Sequence, residues 1–194
     1  MPNEEKNPRH MAAPADPMFM DRWSPRSFVP DPLEAGQVAA LFEAARWAPS
    51  CFNEQPWLFV YALTEEARAK FTAVLAPKNR TWAGKAPLLV FAAARKNFQK
   101  NGKPNRHAAF DAGAAWVSLA FQARKMGLYA HAMAGFDRPA AQALLGLKDE
   151  EYEVMAAIAV GRKGEAAALP EDMRAMESPN DRKPLAETAR EFKA

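Results

Sequence analysis

The chain has 194 residues, 49% of them hydrophobic and only nine of them Gly, which suits one globular domain and excludes a wholly disordered chain. The formal charge is +3 and the basic residues are scattered, with no basic stripe or basic–aromatic alternation, which argues against nucleic-acid binding. One cysteine, Cys51, excludes an intrachain disulfide framework. Residues 1–20 lack a signal-peptide core and no run approaches the ~18 apolar residues of a membrane span, so a cytoplasmic protein that avoids membranes is expected.

Residues 1–15, polar and proline-bearing, are expected to form a mobile tail ahead of a single domain over 16–194. Asp16-Pro17 reads as an N-cap followed by proline at the first helical position, opening a short helix, Met18 to Arg22, that ends before Pro25. Asp31-Pro32-Leu33-Glu34 is a second start signal, and Val38, Leu41, Phe42 and Ala45 then make one apolar stripe on a helix that Pro49 terminates. Trp57 to Leu63 and Pro87 to Ala93 are apolar runs of strand length, with a helix predicted from Glu65 to Leu75 between them. Ala108 to Met126, stopped by Gly127, is the longest helical pattern; its broad apolar face and small residues around Gly113 suit burial on more than one side, either centrally or against a second subunit. Pro139 to Leu145 is a last small helix, Val154 to Val160 a third apolar run closed by Gly161, and residues 163–194 a polar extension that wraps something. Helices alternating with three or four strands give an α+β class with a mixed sheet.

Two stretches carry chemistry. Arg22-Trp23-Ser24-Pro25-Arg26 offers two guanidinium forks around a hydroxyl, a set suited to phosphate. In Ala48-Pro49-Ser50-Cys51-Phe52-Asn53-Glu54-Gln55-Pro56-Trp57 two prolines forbid a helix, and a hydroxyl and two amides between them can hydrogen-bond the edge of a planar ligand. Together they point to a nucleotide-like cofactor. The three histidines, His10, His107 and His131, show no metal-ligand spacing. Cys51 reads as a small buried side chain, Asp111 as a first-turn charge complementing the helix dipole, and Trp47, Trp57 and Trp116 as core.

In this order the chain resembles the FMN-dependent nitroreductase family. The likeness rests on Arg22-x-Ser24-x-Arg26-x-Phe28, on Pro49-Ser50-x-x-Asn53-x-Gln55-Pro56-Trp57, on Asp111-x-Gly113-Ala114-Ala115 running on to Gly127-Leu128, and on Gly161 followed by Arg182-Lys183-Pro184-Leu185. It implies a nitroreductase-like fold, a central mixed and mostly antiparallel sheet flanked by helices, in an intertwined homodimer whose C-terminal extension (about 163–194) wraps the partner. It implies tightly bound FMN at the subunit interface, with Arg22, Trp23, Ser24, Arg26 and Arg182 around the phosphate and ribityl chain. Pro49, Ser50 and Asn53 match the loop along the flavin ring, contributed by the partner; Gln55 either joins them or braces the loop. Asn79 matches an amide at the pyrimidine edge, and Trp82 stands where some members carry lysine, so that either Arg80 or Lys85 supplies that charge or it is absent. Met133, Ala134 and Gly135 match the segment passing the central ring.

The resemblance implies an oxidoreductase that takes hydride from NAD(P)H and reduces an electron-poor acceptor (a nitroaromatic, a quinone or another flavin) by a ping-pong mechanism. No catalytic side chain is required, His107 standing as a possible substrate contact or a surface histidine, and His131 as structural rather than a proton donor. The alternatives are dehalogenase-like or flavin-fragmenting chemistry, or an FMN-binding protein without turnover.

Overall fold

The computed structural model describes residues 7–193. The first helix, α1 (Pro17–Asp21), is capped by the Asp16 carboxylate, which accepts from the Met18 N–H at 2.9 Å. The second, α2 (Ala35–Arg46), starts later than Asp31-Pro32 suggests: its N-cap is Glu34, whose own N–H donates to the Gln37 side chain at 3.0 Å. It ends at Arg46, so Trp47 swings outward, 73% exposed, and bonds the Glu43 carboxylate instead of entering the core as expected. Trp57 and Trp116 are half-buried against the core.

Strand β1 (Trp57–Ala62) leads to α3 (Glu65–Ala73), capped by Thr64, and to α4 (Pro77–Ala83), a helix not anticipated in the sequence. Then follow β2 (Leu88–Arg95), α5 (Ala108–Lys125), β3 (Tyr129–Met133), α6 (Arg138–Leu145) and β4 (Tyr152–Gly161). Two short helices, α7 (Glu171–Arg174) and α8 (Leu185–Thr188), interrupt the extension. No described helix is long and apolar enough to cross a membrane.

The four strands form one sheet in the order β1-β2-β4-β3, and all three pairings are antiparallel, where a mixed but mostly antiparallel sheet was expected. Successive residues of β2 serve opposite faces: Leu89 and Phe91 join Phe71, Leu75, Trp82 and Val154 on one side, while Leu88 and Val90 join Leu41, Leu119, Leu128 and Ile158 on the other. Helices α2 and α5 cover the second face. A strand buried on both faces shows no alternation, which is why β2 reads in the sequence as an unbroken apolar run. The outer face of α5 leaves Phe110 80% and Val117 38% exposed.

Within the expected tail, residues 1–6 lie outside the described residues, and Arg9 is buried and tied down. Its guanidinium donates to the carbonyls of Met20 (2.8 Å), Arg22 (3.0 Å) and Asn180 (2.7 Å), joining the two ends of the chain.

Candidate functional site

The segment after α1 is fixed by backbone pairing with the chain leaving β4. Val29 N–H donates to Arg162 O at 3.1 Å, Gly164 N–H to Ser27 O at 2.9 Å, and Phe28 bridges Lys163. Gly164 permits this approach, since a Cβ there would lie 2.8 Å from Ser27 Oγ. From the extension, the buried carboxylate of Glu177 accepts from the N–H groups of both Arg26 (2.9 Å) and Ser27 (2.8 Å). These contacts set Arg22, Trp23, Ser24 and Arg26 on one wall of a cavity of about 310 Å³, with Met176, Ser178, Asn180 and Arg182 facing them, and Arg9 and His131 completing it.

Four guanidinium groups therefore share one small cavity. Among the described residues no ion pair joins Arg9, Arg22, Arg26 or Arg182 to a carboxylate. Burial, and then repulsion from Arg182, holds Arg9 and Arg22 below the ordinary arginine range. At Arg9 the Asp181 carboxylate acts the other way as the weakest of these influences, so a net positive charge remains that favours an anion, and guanidinium forks suit the several oxygens of a phosphate. Arg9 was missed in the sequence, where it sits in a polar stretch without periodicity; only the packing of both chain ends against α1 brings it here.

His131 also lines the cavity, its ring tilted by 40° against that of Trp82 with centroids 4.7 Å apart. Its Nδ1 lies 2.8 Å from Pro25 O, and since a carbonyl only accepts, that nitrogen carries the proton. Burial lowers its pKa to about 4, so the ring is neutral at pH 7.

The same strand leads from His131 to Gly135, on the order of 13 Å at the rise of extended chain. There the Asn79 amide donates to Gly135 O at 2.8 Å, and a Cβ on Gly135 would meet Asn79 Nδ2 at 2.7 Å, so glycine is required for the contact. Ala134 is exposed beside it. One expectation is overturned: Trp82 is 1% exposed, stacked on Phe28 and tilted against His131, and offers no face to a ligand. Met133 is 4% exposed in the core, so its backbone, the part matched in the sequence, is what it can present. The cation alternatives, Arg80 and Lys85, are exposed and hydrogen-bond the carbonyls of Leu75 and Ala168.

The Pro49–Gln55 loop is a separate feature that does not line the cavity. Phe52, Asn53 and Gln55 all adopt positive φ (53°, 57° and 50°), which costs non-glycine residues ~1–3 kcal/mol each. The loop is braced internally, Gln55 N–H donating to Ser50 Oγ at 3.0 Å and Gln55 Nε2 to Asn53 O at 2.9 Å. It is also held from α5, where the buried Asp111 carboxylate accepts from the Cys51 N–H at 3.1 Å. Asp111 thus anchors a strained loop as well as opening a helix, and Cys51 is half-buried. His107, at the start of α5, is half-buried with its Nε2 accepting from Arg106 at 3.3 Å.

A sequence profile of the nitroreductase family matches residues 19–78 and 73–162. A crystal structure described as an oxidoreductase containing FMN is 38% identical, covers 100% of this chain and 98% of its own, and superposes with a TM-score of 0.92. A Streptomyces coelicolor protein named as an NADH dehydrogenase/NAD(P)H nitroreductase is 27% identical over 181 residues, 84% of this chain and 91% of its own. A nitroreductase from Exiguobacterium sibiricum, solved in complex with FMN, shares the fold at a TM-score of 0.74 and 17% identity, covering 95% of this chain and 99% of its own. With its antiparallel sheet, its long central helix and this match across most of its length, the chain belongs to the nitroreductase family.

Proposed function

We propose that this protein is an FMN-dependent oxidoreductase that takes hydride from NAD(P)H and reduces an electron-poor acceptor, a nitroaromatic, a quinone or another flavin. The observation that carries this reading is the cavity of four arginines, none of them ion-paired to a carboxylate among the described residues, beside the strand that leads to Gly135. The residues present fit FMN: Arg22, Ser24, Arg26 and Arg182 would hold the phosphate end, and Asn79, Ala134 and Gly135 the ring. The Asn79 amide is already oriented by Gly135 O, and the small residues beside it leave the backbone accessible.

When bound, FMN supplies the two-electron chemistry, and the protein supplies binding, orientation and exclusion of water. Arg9, held rigidly by three carbonyls, keeps positive charge in the cavity without itself needing to move. Trp23 walls the cavity, and His131, neutral and donating through Nδ1, presents no competing positive charge. Ser50 and Gln55 brace the strained loop, and Pro49 and Asn53 stand exposed on it, available to a second copy's site. A homodimer is part of the same reading, supported by the exposed Phe110 and Val117 on α5 and by Leu185 and Phe192 (54% and 89% exposed) in the extension.

An absorbance spectrum of the purified protein, followed by anaerobic titration with NADH and NADPH, tests the proposal. A flavin spectrum bleached by either donor and restored by an acceptor is expected. A colourless protein that takes up no FMN refutes it, and bound FMN that neither donor reduces leaves a flavin-binding protein without this activity.

A further inference from the structure

The basic residues are not evenly spread: residues 67–110 contain ten Lys or Arg and no Asp or Glu. Part of that excess is displayed on a built element, the connection between β2 and α5. Asn105 N–H donates to Lys96 O at 2.8 Å, Phe98 N–H to Lys103 O at 2.9 Å and Gly102 N–H to Phe98 O at 2.9 Å, and Asn97 bridges Pro104 in antiparallel register. Gly102, at φ +68°, makes the turn. The result is a short hairpin whose Lys100 and Lys103 are exposed, with exposed Arg106 just beyond.

Among the described residues no carboxylate lies within ion-pair reach of Lys100, Lys103 or Arg106, while Lys96, at the base, pairs with Asp149 at 3.3 Å. The Glu54 carboxylate accepts from the Gln99 N–H at 2.5 Å. That bond, with the edge-to-face pair Phe52–Phe98, fastens the hairpin to the strained Pro49–Gln55 loop. A cluster of cations is therefore held in fixed relation to the loop assigned to the flavin.

We infer that this hairpin binds the phosphates at the adenosine end of the nicotinamide dinucleotide donor, through Lys100, Lys103 and Arg106. The inference rests on the proposed FMN and NAD(P)H reading. The large pyrophosphate-bearing donor needs a polar contact beyond the ring, and the cavity arginines would be occupied by the FMN phosphate. Among the described residues the hairpin offers a separate concentration of cations without carboxylate partners, fastened to the Pro49–Gln55 loop. Its contact is electrostatic and solvent-exposed, so it strengthens at low ionic strength and fades with salt.

The test compares wild type with the double variant Lys100→Ala/Lys103→Ala, both saturated with FMN, at 20 mM and 500 mM KCl. Donors are NADPH, NADH and the uncharged N-benzyl-1,4-dihydronicotinamide. The double variant is expected to raise the KM for NADPH about tenfold at low salt, with little change in kcat and a much smaller ratio at high salt. The uncharged donor should differ less than twofold. A larger effect with NADPH than with NADH assigns the contact to the 2′-phosphate; equal effects assign it to the diphosphate. Calorimetric binding of adenosine 2′,5′-bisphosphate to the FMN-loaded protein should weaken in parallel. An unchanged KM for both dinucleotides, or an equal loss with the uncharged donor, overturns the hairpin assignment alone. A wild-type protein that binds no FMN or oxidises no dinucleotide overturns the underlying reading with it.

Discussion

The arginines around the cavity do different work. Arg9 spends its hydrogen bonds on main-chain carbonyls and organises the site, whereas Arg22 and Arg26 are half-buried and carry no carboxylate partner among the described residues. Replacing both Arg22 and Arg26 by Ala removes two charge-assisted contacts to an anion, each worth ~1.5–3 kcal/mol, while relieving mutual repulsion in the empty cavity. We expect FMN affinity to fall by at least a hundredfold with little loss of ligand-free stability, as measured by flavin fluorescence titration and urea denaturation; stoichiometric flavin on the double variant would remove the phosphate assignment. His131 makes a second prediction. An unfolded histidine takes up its proton near pH 6.5 and the folded one only at about 4, so below 6.5 the unfolded state binds more protons. Stability of the ligand-free protein should therefore decline as the pH falls from about 6.5 towards 4. Urea denaturation at pH 7, 5.5 and 4.5 should show a shallower decline for His131→Asn, and an identical slope would contradict this role.

The Pro49–Gln55 loop shows how one element constrains another. Three left-handed residues within four consecutive positions persist only because their surroundings fix them, and the Asp111 carboxylate on α5 is the deepest of those supports. Asp111→Ala leaves the Cys51 N–H without its acceptor and should destabilise by about 1–3 kcal/mol in chemical denaturation. Asp111→Asn, which retains an acceptor oxygen, should recover most of that; equal losses in both would mean that the charge and not the hydrogen bond matters. The loop was legible in the sequence as a proline-bounded, amide-bearing break in a helix. Its anchor was not, because Asp111 is 60 residues away and first-turn acids are explained without it. Helix α4 escaped notice for a related reason: Pro77 to Ala83 is short and shows no apolar stripe, and tertiary packing of Trp82 holds it.

For the molecule as a whole, the outer face of α5 leaves apolar surface exposed on a single chain. Phe110 and Val117 lie seven residues apart on one face, near small Gly113, and a second copy would bury them. Phe110→Glu should shift sedimentation from dimer to monomer and lower FMN occupancy together, since the reading gives each site residues from both chains. A monomeric variant that retains full flavin would separate the two properties and refute the shared site.

Local chemistry in the sequence was enough for what depends on near neighbours: the cap at Asp16, the stripe on α2, the apolar runs, the guanidinium-rich Arg22–Arg26 segment and the ordered motifs of the family. Only the tertiary structure decided that Trp82 and Met133 turn inward, that Trp47 turns out, that every strand pairing is antiparallel, and that Arg9 and Glu177 converge on one loop. Those outcomes come from contacts between residues as much as 171 positions apart, as in the Arg9–Asn180 bond, and no periodicity or spacing along the chain encodes them.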